Sequence, residues 1–190
     1  RALGKLQWNA PGLLRLRHQS LVAASRGLQW LLRLQNRDGG WPSFCRGWGK
    51  LPFDRSGTDI TAHAIRSLIA WQSDFGSPKL DQAVKTGFGY LSKHQQKDGS
   101  WLPLWFGNQD QTDDINPCYG TAKVLLAYRD ANSLDTNEAQ FGLRWIRDNQ
   151  NSDGGWGGGS SIRWSDPRLG TSSVEETALC TEILLDHNDP

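Results

Sequence analysis

Two residues with acid–base side chains, Asp59 and His63, lie four positions apart in the stretch GTDITAHAIRSLIAW. In a helix this spacing puts both side chains on one face. Each also has an ordinary structural interpretation. Asp59 could cap the helix or favour its dipole, and His63 could be a capped or solvated helix histidine. The spacing alone leaves the proton-handling and the structural interpretations open.

Two other stretches contain residue types that bind metals. The run DQTDD, from Asp110 to Asp114, carries carboxylates but lacks the pattern of a calcium loop, which favours a solvated loop. The sequence Asn116-Pro117-Cys118 has asparagine where a zinc-binding Asp-x-Cys pair needs aspartate, and His187 is nearly terminal. Zinc sites use several nitrogen, sulfur or carboxylate ligands at once. We therefore predict no metal site.

The overall composition narrows the class of protein. The 190 residues carry 21 Lys and Arg against 20 Asp and Glu, a net charge of +1, so we expect no nucleic-acid partner. Three cysteines without a CxxC pair fit a reducing compartment. Neither a membrane-spanning run nor a start methionine with a signal-peptide core is present. We expect the chain to be part of a longer protein.

The chain contains ten tryptophans and no methionine. A repeated segment accounts for much of this high tryptophan content. RGLQWLLRLQNRDGGW, TGFGYLSKHQQKDGSW and FGLRWIRDNQNSDGGW occupy residues 26–41, 86–101 and 141–156. Every copy has glycine second, an aromatic fifth, an aliphatic sixth and glutamine tenth, and closes with Asp-Gly-[Gly/Ser]-Trp. Three ungapped copies indicate a repeat architecture.

Each copy predicts a helix that ends at a tight turn. Asp-Gly breaks the helix, because glycine adopts positive φ without strain. We expect the closing tryptophan to cover the glutamine, whose amide would satisfy unpaired backbone groups at the helix end. The expected pairs are Trp41 with Gln35, Trp101 with Gln95 and Trp156 with Gln150. No β-structure is expected in these stretches.

The segments between the copies also have helical periodicity. Ser77 before Pro78 predicts an N-cap, and Ser173 and Asp135 each precede a glutamate at capping-box spacing. No convincing strand pattern appears. The chain is therefore predicted to be all-α, an array of helical hairpins. The loops at 42–57, 102–118 and 157–170 would lie on one face, which is often the binding face.

The three copies resemble the QW motif of the squalene-hopene and oxidosqualene cyclases, which joins outer and inner helices of an α/α barrel. The resemblance runs from about Gln29 to Leu185. GTDITAHAI resembles the family's D-x-T-x-H segment, and DGSWLPLW with CYGTAKVL resembles its aromatic segment ending in Tyr-Gly-Thr. It implies that residues 1–190 form part of a C-terminal catalytic domain, an α/α toroid that is a partial (α/α)6 barrel.

The resemblance implies an isomerase that cyclises squalene or a related polyprene without metal or organic cofactor. In the family, an aspartic acid of a D-x-D-D motif protonates a terminal double bond, and aromatic faces stabilise the carbocation. This chain contains no D-x-D-D sequence. The isolated chain is therefore expected to be inactive, with the remainder of the cyclase chain as its partner.

The resemblance also implies roles for five residues of this chain. Asp59 and His63 match the D-x-T-x-H pair, in which the histidine supplies a positive hydrogen-bond donor to the protonating acid. Trp105, Tyr119 and Phe44 match aromatic residues of the substrate cavity. Trp105 and Tyr119 could also be core residues, because aromatic side chains dominate protein cores.

The full-length protein is expected to sit peripherally on the cytoplasmic side of a bacterial membrane, as the resemblance implies. Two alternatives from other classes stay open at this point. One is a zinc enzyme similar to the β-subunit of protein prenyltransferases, which share the α/α barrel. The other is a non-catalytic α/α-repeat binding protein, which the lack of a D-x-D-D motif in the full-length chain would favour.

Overall fold

The structure, a computed structural model, describes residues 11–47, 50, 51, 53–109, 111, 113–159 and 172–185. Helices dominate these residues, which confirms the all-α class. The helices are α1 (Pro11–Leu34), α2 (Thr58–Ala70), α3 (Gln72–Phe75), α4 (Pro78–Lys93), α5 (Pro117–Asp130), α6 (Asn137–Asp148) and α7 (Val174–Leu185). Two strands of two residues each, β1 (Trp41–Pro42) and β2 (Ser56–Gly57), lie between α1 and α2.

The helices form two layers. In the inner layer, α5 packs between α2 and α7. In the outer layer, α4 packs on α2, α6 packs on α5, and α1 contacts both α2 and α4. Because α5 has neighbours on several sides, it is buried almost all round, with Val124, Leu125 and Ala127 fully inaccessible. This is the predicted array of helical hairpins.

Two of the three predicted helix caps are present. The Ser77 hydroxyl accepts a hydrogen bond of 3.3 Å from a backbone N–H in the first turn of α4, and Ser173 does the same for α7 at 3.2 Å. The prediction for Asp135 is wrong, because Thr136 is the residue that precedes α6 and its side chain makes no capping bond. The Thr136 hydroxyl instead donates to the carbonyl of Ser133 at 2.9 Å.

The closing tryptophan of each repeat is buried, and its indole forms a hydrogen bond at the helix end. Its indole N–H donates to the backbone carbonyl of the aliphatic residue at position six, not to the glutamine amide. The bonds join Trp41 to Leu31 at 2.9 Å, Trp101 to Leu91 at 2.7 Å and Trp156 to Ile146 at 2.7 Å. These carbonyls belong to the last turn of their helices, where backbone acceptors lack intrahelical partners. The indole therefore closes the helix end.

The repeat glutamines stabilise the turn itself. The side-chain amides of Gln35, Gln95 and Gln150 donate to the carbonyls of Gly39, Gly99 and Gly154 at 2.8, 2.9 and 2.8 Å. These glycines have φ values of 93°, 97° and 89°, a conformation that other residues rarely adopt. The first two glutamines also donate to the next outer helix, at Ala83 and Glu138.

A short β-pairing follows the first turn, so the expectation of no β-structure is wrong at this point. Trp41 pairs with Gly57 and Pro42 with Ser56 in antiparallel register. The third repeat has the equivalent contact, an isolated bridge between Trp156 and Ser173. The pairing arises because the chain leaving each turn runs beside the segment that enters the next inner helix. It leaves the tryptophan rings buried.

Candidate active site

Asp59 lies in the first turn of α2 and is completely buried. Its Oδ1 accepts the backbone N–H of Leu104 at 3.3 Å, whereas Oδ2 has no hydrogen-bond partner among the described residues. A Cβ on Gly57 would lie 3.0 Å from Asp59 Oδ1, so glycine permits this close approach. Buried polar atoms are nearly always paired, which makes Oδ2 a candidate acceptor for another group.

His63 lies one turn further along α2, is exposed, and does not bond to Oδ2 of Asp59. Crowding by protein atoms lowers the pKa of His63 below 6.5, and the nearby Lys123 ammonium lowers this pKa further. The charge of Asp59 acts in the opposite direction but does not reverse the shift. This lowered pKa disfavours the positively charged form of His63, which is the form that the resemblance implies.

Phe44 and Trp105 bring two loops together. Their ring centroids are 6.5 Å apart in an edge-to-face arrangement, and the Trp105 indole N–H bonds to the hydroxyl of Ser43. Phe44 is 72% exposed and Trp105 48% exposed. Exposed aromatic faces of this kind can contact an apolar ligand or a cation.

Tyr119 lies in the first turn of α5 and is buried. The ring of Phe106 stacks on it with a centroid distance of 4.7 Å and an interplanar angle of 22°. The Nζ atom of Lys123 lies 5.0 Å from the centroid of the same ring. Burial, followed by the charges of Asp59 and Glu175, raises the pKa of Tyr119 to about 12. Its hydroxyl therefore stays protonated at neutral pH.

The segment Leu104–Phe106 connects four of the five predicted residues. Leu104 binds Asp59, Trp105 contacts Phe44, and Phe106 covers Tyr119. His63 joins the group through its electrostatic coupling to Asp59. The sequence-predicted residues therefore lie in one region, although they come from α2, α5 and two loops. Sequence reasoning missed Phe106, for which the adjacent Trp105 was the available signal.

The residues that position this region were also not predicted from the sequence. The threonines of D-x-T-x-H and Tyr-Gly-Thr, Thr61 and Thr121, accept the backbone N–H of the repeat tryptophans at 3.0 and 2.9 Å. Thr177 does the same in the third repeat, at 2.9 Å. A threonine recurring 20 or 21 residues after each tryptophan was the available signal. Gly120 is needed because a Cβ there would lie 2.2 Å from the carbonyl oxygen of Trp101.

The structure describes some of the candidate metal ligands. Asn116 caps α5 by accepting the backbone N–H of Tyr119 at 3.0 Å, and its amide donates to Glu176. Asp113 and Asp114 are exposed, while Asp110 and His187 lie outside the described residues. Within the described part of the chain, no three His, Cys, Asp or Glu side chains are grouped to hold a metal ion.

Comparison with known proteins identifies the family of this chain. The sequence model of the squalene-hopene cyclase C-terminal domain matches residues 13–184. The chain belongs to the squalene-hopene cyclase family. The described helices of this cyclase-family chain include none that is both long and apolar enough to cross a membrane.

Individual cyclases align with the same region. Enfumafungin synthase of Hormonema carpetanum is 31% identical over an alignment of 183 positions, which covers 84% of this chain and 13% of that protein. A probable squalene–hopene cyclase of Sinorhizobium fredii is 32% identical, covering 72% of this chain and 21% of the relative. Drimenyl diphosphate synthase of Streptomyces showdoensis is 30% identical, covering 74% and 24%. The chain thus spans less than a quarter of the length of these relatives.

Proposed function

We propose that the full-length protein is an isomerase that cyclises squalene or a similar polyprene after protonating a terminal double bond. The observation that carries this proposal is the placement of the buried Asp59 carboxylate beside the exposed rings of Phe44 and Trp105 through the segment Leu104–Phe106. An apolar aromatic wall next to a dry carboxylate suits a hydrocarbon that becomes a cation during the reaction.

The proton donor of the proposed reaction is an acid from the remainder of the full-length chain. Its proton adds to the terminal alkene, and π electrons of successive double bonds then form the ring bonds. Loss of a proton from the final cation makes the product an isomer of the substrate. Within this chain, the Oδ2 atom of Asp59 is available to accept a hydrogen bond from a polar group beside the proton-donating acid. That hydrogen bond stabilises the acid.

The aromatic residues have a different role in the proposed reaction. The rings of Phe44 and Trp105 present π faces to the cation, while the buried surroundings of Asp59 exclude water. The lowered pKa of His63 favours its neutral form, which can act as an N–H donor or as an acceptor. The full-length protein would take up its water-insoluble substrate while associated with the cytoplasmic side of a membrane.

The proposal is tested with the full-length protein, squalene and product analysis by gas chromatography and mass spectrometry. The wild type is expected to form cyclic isomers. Trp105→Ala is expected to lower kcat/KM by about 2- to 30-fold, as a cation–π contact of about 0.5–2 kcal/mol predicts. Trp71→Ala, which removes an indole at the far end of α2, is the matched control and should retain the activity.

Two results would contradict the proposal. The first is a folded full-length protein that forms no cyclic product from squalene or a shorter polyprene. The second is an equal loss of activity in Trp105→Ala and Trp71→Ala, since that would reflect destabilisation and not a contact with the reacting cation. Melting temperatures of both variants establish that they are folded.

A further inference from the structure

Phe106 covers the aromatic residue behind it. Tyr119 is only 5% exposed, whereas the Phe106 ring stacked on it is 50% exposed. Phe106 also follows Trp105 directly, and Trp105 contacts Phe44. A ligand that approaches from the solvent side therefore contacts the Phe106 ring before it reaches Tyr119.

Hydrogen bonds to Gly158, in the loop that follows the third repeat, position the loop that carries Phe106. The side-chain amides of Asn108 and Gln111 both donate to the carbonyl of Gly158, each at 2.8 Å. The backbone N–H of Asn108 also donates to Asp114 at 3.1 Å, which closes the loop on itself. Two side chains bonded to one carbonyl restrict the loop, so the ring of Phe106 is a positioned surface of the protein.

We propose that Phe106, and not Tyr119, is the aromatic residue that contacts the polyprene, and that it determines how far cyclisation proceeds. This inference rests on the proposed function. Phe106 presents an all-carbon ring, whereas the covered Tyr119 carries a hydroxyl that could interact with a cation. Like Phe44 and Trp105, Phe106 presents a ring face without a hydroxyl that would add to the cation or remove a proton from it, which protects the cation until the last ring has closed.

The covering role is tested without any substrate. The full-length protein is treated with tetranitromethane, and nitrated tyrosines are located by peptide mass spectrometry. Tyr119 should react slowly in the wild type and several-fold faster in Phe106→Ala. Tyr90 and Tyr128 are buried elsewhere and should stay unreactive in both proteins. Phe141→Ala, which removes a partly exposed phenylalanine from α6, is the matched control and should leave the reactivity of Tyr119 unchanged.

The substrate role is tested by the product distribution from squalene. Phe106→Ala should increase the fraction of incompletely cyclised products, and Phe106→Trp, which keeps an aromatic face, should restore most of the full cyclisation. Equal nitration of Tyr119 in wild type and Phe106→Ala overturns the covering role. Faster nitration with an unchanged product distribution overturns the substrate role. A wild type that forms no cyclic product contradicts the proposed function, while the nitration result still decides whether Phe106 covers Tyr119.

Discussion

The hydroxyl of Thr61 accepts the backbone N–H of Trp41 at 3.0 Å, and both residues are completely buried. This bond ties the first repeat turn to α2, the helix that carries Asp59 and His63. The threonine of the D-x-T-x-H segment is thus a structural residue between two candidate functional ones. The position of the candidate active site therefore depends on the integrity of the repeat turn.

Thr61→Val tests this connection. The substitution leaves the buried N–H of Trp41 without an acceptor, so the free energy of unfolding should fall by about 1–3 kcal/mol. Thr61→Ser keeps the hydroxyl and should lose less. Urea unfolding measures both values. Equal stabilities of the valine and serine variants would show that the hydrogen bond contributes little.

The repeat glutamines are expected to differ in their contributions to stability. Gln35 donates to Gly39, Ala83 and Thr86, whereas the side chain of Gln150 makes one hydrogen bond, to Gly154, among the described residues. Gln35→Ala should therefore destabilise the chain more than Gln150→Ala, by about 1 kcal/mol or more. Thermal or urea unfolding of the two variants provides the comparison, and each is the other's control. A larger loss in Gln150→Ala would contradict the assignment.

The titration of His63 provides a pH test. Its pKa in the folded protein is lower than 6.5, first because protein atoms crowd the ring and second because of Lys123. The unfolded chain therefore binds a proton at higher pH than the folded chain does. The contribution of His63 to stability is complete above pH 6.5 and is lost as the pH falls through the folded pKa.

Lys123→Met is expected to raise the pKa of His63, because it removes a positive charge. The pKa is measured by NMR titration of the imidazole protons. Lys85→Met removes a similar charge from the exposed side of α4 and should leave this pKa unchanged. An unchanged His63 pKa in Lys123→Met would mean that the charge of Lys123 does not contribute to the shift.

The aromatic residue at position five is exposed in the first repeat and buried in the second and third repeats. Trp30 is 51% exposed, whereas Tyr90 and Trp145, at the same repeat position, are 4% and 8% exposed. The indole of Trp145 also donates to Asp98 in the preceding turn at 3.1 Å. We therefore expect the isolated 190-residue chain to self-associate through α1, because exposed apolar surfaces of adjacent repeats favour association.

Sedimentation velocity over a range of concentrations tests this expectation. Trp30→Lys should shift the isolated chain towards the monomer, while Gln29→Lys adds the same charge beside it and should have a smaller effect. A monomer with a sharp melting transition that is independent of concentration would refute the expectation.

Much of the local structure could be predicted from the sequence, and the errors have a common origin. The capping role of Ser77 depends on residues within a few positions. The burial of the repeat tryptophans was predicted from the repeat, although the ring of Trp41 packs against Gly87 of the next outer helix. The indole hydrogen bonds were not predicted, because sequence does not say which polar atom of a helix end a side chain reaches. The β-pairing of Trp41 was missed, because two residues are too few to produce an alternating pattern.

The sequence by itself determined the repeat, the helical class and the residue types at the candidate site, because periodicity and turn-forming glycines act over short distances along the chain. Only the tertiary structure decided which groups meet. It placed Leu104 on Asp59 and Phe106 on Tyr119, and it lowered the pKa of His63. These outcomes depend on burial, on nearby charges and on how separate loops and helices pack, which no short stretch of sequence encodes.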